Sequence, residues 1–176
     1  MDVLRAVLNT AQPTTWVNKS EDDYIESYLL FDITKYSTEW YNVWIEADCY
    51  HRELIKYIKR VQNPFQLGLF KIQEEKRRSE NVSTQQTIGY HVIHPNDLES
   101  ALKYPLDYRR YSKRESSVQN VEKHPKFYAK LEDAYEMGNQ CNLAFDNEIL
   151  IIQAQHFSTV RNQGDYYPLY VISLVV

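Results

Sequence analysis

Two periodicities alternate along the chain. Val3, Leu4, Val7 and Leu8 recur at helical spacing, and residues 9–15, which include Pro13, end that short helix. Residues 24–33 (YIESYLLFDI) are aromatic and aliphatic enough for a buried strand. The next segment carries both signals. Tyr41, Val43 and Ile45 alternate as a strand would, whereas Trp40, Trp44, Ala47, His51, Leu54, Ile58 and Val61 repeat every three or four residues. The second pattern is longer, and Ser37 or Thr38 can cap it, so it predicts one long helix ending before Pro64. Residues 66–73 (QLGLFKIQ) then read as a strand and 74–85 (EEKRRSENVSTQ) as a polar loop.

In 87–93 the apolar Ile88, Tyr90 and Val92 alternate with Gly89 and His91, a half-buried strand. Residues 95–99 open a short helix, with Asn96 and Glu99 spaced as a capping box. Residues 103–124 have little periodicity and read as a surface loop. Pro125 and Gly138 bracket a helix with Phe127, Leu131, Ala134 and Tyr135 on one side. Residues 140–145, 148–157 and 166–175 predict three strands, joined by turns at Asp146-Asn147 and at 161–165 (RNQGD). The pattern amounts to an α+β fold: a single domain over 1–176, with a mainly antiparallel sheet and a C-terminal three-strand meander. A long helix in the N-terminal half and shorter helices pack the sheet.

Composition agrees with one folded domain: 176 residues, 43% hydrophobic and 14% aromatic, with 15 of the aromatics tyrosine. A tyrosine ring wants burial while its hydroxyl wants a partner, so many tyrosines belong at half-buried surfaces or interfaces. Trp16, Trp40 and Trp44 suit core or interface, and their spacing favours core for the last two. With four glycines in the chain, neither glycine-rich phosphate-binding motif can be written. Two cysteines do not make a disulfide framework and suit a reducing compartment. The first residues lack a basic stretch followed by a sustained apolar one, and no apolar run reaches the roughly 18 residues of a membrane span. The expectation is a cytoplasmic protein with no membrane partner.

The chemistry-bearing residues form no strong constellation. His91 and His94 are three apart at a strand and its exit, so they leave on opposite faces, and Asp97 does not rescue them as an ion site. Cys49 and His51 point apart on the predicted helix. His156-Phe157-Ser158 is one H-x-[ST] triplet where a two-histidine phosphoesterase needs a pair. Cys49 sits beside Asp48, which disfavours a thiolate, and Cys141 reads as a core thiol. No G-x-S-x-G elbow exists. The best-formed catalytic pattern is that of a Mg²⁺-dependent nuclease of the restriction-enzyme type. It would take Asp32 or Asp48 as the first acid and Glu75 and Lys76 as the Glu-x-Lys-like pair beyond a strand. Against it, such a pattern arises trivially in a charged stretch, and the apolar residues stop before the acids. No motif calls for a cofactor, and no residue is assigned a catalytic or metal-ligating role.

Charge supplies the one asymmetry. Residues 103–130 hold eight basic and three acidic residues, a net +5, while the whole chain carries −4. The basic and aromatic set comprises Lys103, Tyr108, Arg109, Arg110, Tyr111, Lys113, Arg114, Lys123, Lys126 and Lys130, with Tyr104, Phe127 and Tyr128 interleaved. Cations that track phosphates beside rings that stack on bases are compatible with RNA or single-stranded DNA. An acidic protein surface satisfies the same residues. The acidic remainder and the pI of about 5.7 disfavour independent nucleic-acid binding. A solvated loop is the plainest alternative. The reading that emerges is a non-catalytic accessory subunit that docks a partner protein or a nucleoprotein complex through this segment.

Overall fold

The structure, a computed structural model, describes residues 12–17, 19–24, 27–47, 52–104, 126–160 and 164–176. They form five strands, β1 (Leu29–Asp32), β2 (Ile55–Gln62), β3 (Gln86–Ile93), β4 (Glu148–Phe157) and β5 (Tyr166–Val175). Four α-helices accompany them, α1 (Thr38–Glu46), α2 (Pro64–Ser79), α3 (Pro95–Lys103) and α4 (Leu131–Gln140). The strands make one sheet in the order β1-β2-β5-β4-β3, antiparallel at every pairing. The α+β class and the paired C-terminal strands are therefore as the pattern predicts.

β4 and β5 are buried on both faces, which is why they read as apolar runs rather than as alternation. On one face α1 and α4 cover the sheet, with Trp40, Val43, Leu131 and Ala134 packed on Ile58, Tyr90, Val92, Ile149, Ile151 and Ile172. On the other, Ala101 and Leu102 of α3 pack on Val61, Ile93, Leu150, Ile152 and Val171. Leu67 and Phe70 of α2 gather with Trp16, Phe157 and Tyr167, the Phe70 and Phe157 rings stacked at 4.6 Å. Arg77 near the end of α2 then fastens that helix to the β4–β5 turn. Its Nη2 donates to Asp165 Oδ2 at 2.8 Å and its Nε to Oδ1 at 3.3 Å, while the guanidinium lies 4.5 Å from the centre of the Phe157 ring.

Several segments differ from the pattern, each for an identifiable reason. The long helix stops at Glu46, and Ile55–Gln62 is a strand. A bulge between Ile55 and Tyr57 shifts the register against β5, so Ile55 and Ile58 both enter the first core cluster. Two core residues three apart imitate helical spacing although the backbone is extended. Residues 66–73 and the charged run after them are helix α2, not strand and loop. Asn63 caps it by accepting from the Gln66 N–H at 2.9 Å, and Pro64 takes the first helical position, where its missing N–H costs nothing. Pro64 is thus a start signal rather than a stop.

Within residues 24–33 the strand is Leu29–Asp32, an alternately exposed edge strand, after a 3-10 turn at Glu21–Tyr24. α3 is capped by His94, whose Nδ1 accepts from the Asn96 N–H at 3.2 Å, not by an Asn96–Glu99 box. α4 begins after Phe127 and contains Gly138, where a Cβ would stand 2.9 Å from the Ile149 Cγ2. That glycine serves close packing on the sheet, not helix termination. Residues 140–145 form no strand; they end α4 and reach the tight Asp146-Asn147 turn, both residues at positive φ, through a Phe145–Glu148 bridge. The predicted helix over residues 3–8 and most of the 103–124 loop lie outside the described residues.

Candidate functional site

One polar row crosses the α1 side of the sheet. The strand register sets Arg60 of β2 beside Tyr170 of β5, Tyr170 beside Gln153 of β4, and Gln153 beside Tyr90 of β3. A buried guanidinium and a fully buried amide are costly unless they are bonded. α1 supplies the partners. Glu39 in its first turn accepts from Arg60 Nη1 at 2.8 and 3.0 Å and from the Tyr170 hydroxyl at 3.0 Å. Glu46, its last residue, accepts from Gln153 Nε2 at 3.1 Å. Burial first, and then the Glu39 charge, hold the Tyr170 hydroxyl well above its ordinary range. Seven residues apart, Glu39 and Glu46 lie on one helical face, so these contacts fix the rotation of α1 as well as its position.

That rotation decides what α1 shows to solvent. Trp40 and Val43 are buried against the sheet, and the opposite arc carries Tyr41 and Ile45. Ile45 is 66% exposed and Tyr36, just before the helix, 63% exposed, values unusual for large apolar side chains beside a well-packed core. Tyr36, Trp40, Tyr41 and Trp44 form a chain of ring contacts with centroids 5.5–6.3 Å apart. Lys35 Nζ stands 5.5 Å from the centre of the Tyr36 ring at the rim. Trp40 is core, as its spacing suggests, while Trp44 is half-buried between core and surface. The result is an aromatic and aliphatic patch on a rigid support, without a nucleophile or an acid–base pair among its outward residues. Its chemistry is that of contact.

Of the sequence-derived basic set, Lys103 closes α3, and Lys126 and Lys130 flank a two-bond bridge between Tyr128 and Tyr90 at the β3 edge. Lys126 and Lys130 are exposed, the Lys126 ammonium 5.0 Å from the centre of the Tyr128 ring. Tyr108, Arg109, Arg110, Tyr111, Lys113, Arg114 and Lys123 lie outside the described residues. The nuclease residues stand otherwise than that chemistry needs. Glu75 and Lys76 are exposed on helix α2, not at the end of a strand, and Glu75 is bonded to Arg78. Asp32 is exposed on β1 with its carboxylate 3.6 Å from Lys59 Nζ; Asp48 lies outside the described residues. Among the described residues no group of three His, Cys, Asp or Glu side chains could hold a metal ion, and no helix is long and apolar enough to cross a membrane.

The pattern of apolar positions did not point to the polar row or the patch. No local signal marks them, because β2 also carries Lys56, Lys59 and Gln62, and β4 also carries Gln155 and His156, so Arg60 and Gln153 do not stand out from their strands. Comparison with known protein families finds none that matches this chain, and no curated protein sequence is significantly similar to it.

Proposed function

We propose that the protein is a non-catalytic interaction module that docks a partner protein, alone or within a nucleoprotein complex. The outward Tyr36, Tyr41 and Ile45 of the α1 region serve as apolar anchors, and the basic 103–130 segment serves as a polar, charge-selective contact. The observation that supports this reading is the exposed patch on a helix whose rotation is fixed by Glu39 and Glu46. Rigid aromatic anchors bind at low entropic cost, and residues of this kind dominate binding energy where interfaces have been scanned.

The test separates the two surfaces. One variant carries Tyr41→Ser and Ile45→Asp; a second carries Arg109→Ala, Arg110→Ala, Lys113→Ala and Arg114→Ala. Affinity capture from the source cell, with and without nuclease treatment, should lose the same partner in both, at an unchanged melting temperature. Capture equal to wild type in both variants overturns the proposal. Loss on nuclease treatment, with a logarithmic salt slope of about −0.7 per phosphate, would identify the contact as single-stranded nucleic acid instead.

A further inference from the structure

We draw no further inference here: the strongest candidate, the apolar surface patch that the exposed Leu69 and Ile72 form on the outer side of α2, carries none, because nothing in the structure shows what covers it.

Discussion

At the scale of single residues, stability here depends on groups placed where their chemistry is unusual. Gly89 is one of them. Gly89→Ala would drive a methyl into His156 and Phe127, and the overpacking should cost about 1–3 kcal/mol in urea denaturation. Tyr167 is another. Its hydroxyl donates to Gln155 at 3.0 Å, and burial pushes it up to about 12. An unfolded tyrosine ionises near 10, so this contribution is complete below about pH 10 and is lost as pH rises towards 12. Stability should fall there by about 1.4 kcal/mol per pH unit from this group, and Tyr167→Phe should flatten the slope. Tyr170, raised by burial and by Glu39, acts in the same sense. Little of this is visible in the sequence, because the shifts come from neighbours more than ten positions away. Arg60 and Gln153 stand among other polar residues of their strands, so nothing local marks them as contacts for α1.

At the scale of elements, the strands with plain alternation or long apolar runs were legible, and β3, β4 and β5 stand within a residue of where the pattern puts them. β2 and α2 were not, and the causes are opposite. A bulge made a strand look helical, and a run with few glycines and an Asn-Pro start was read by its apolar content rather than by its cap. The charged EEKRR stretch likewise reads as loop until Arg77 is seen to be its buried member. The Arg77–Asp165 pair gives that element its test. Asp165→Ala leaves a buried guanidinium uncompensated and should cost about 3–5 kcal/mol in denaturant unfolding. The double variant with Arg77→Met and Asp165→Leu should lose less than either single change, because no charge is then left alone.

At the scale of the whole molecule, the class and the antiparallel sheet were legible, but the strand order was not. Nothing in local periodicity says that β5 inserts between β2 and β4. That insertion has a consequence for synthesis. Without β5 no ladder joins the strand pairs β1–β2 and β3–β4, and each pair has an open edge. They become one sheet when Tyr166–Val175 arrives between them, and β5 is the last described strand to be made. A nascent chain halted before residue 166 should therefore expose two unpaired strand edges and recruit chaperones. Release of ten more residues should end that binding abruptly, a step that arrest-peptide force measurements can place along the chain.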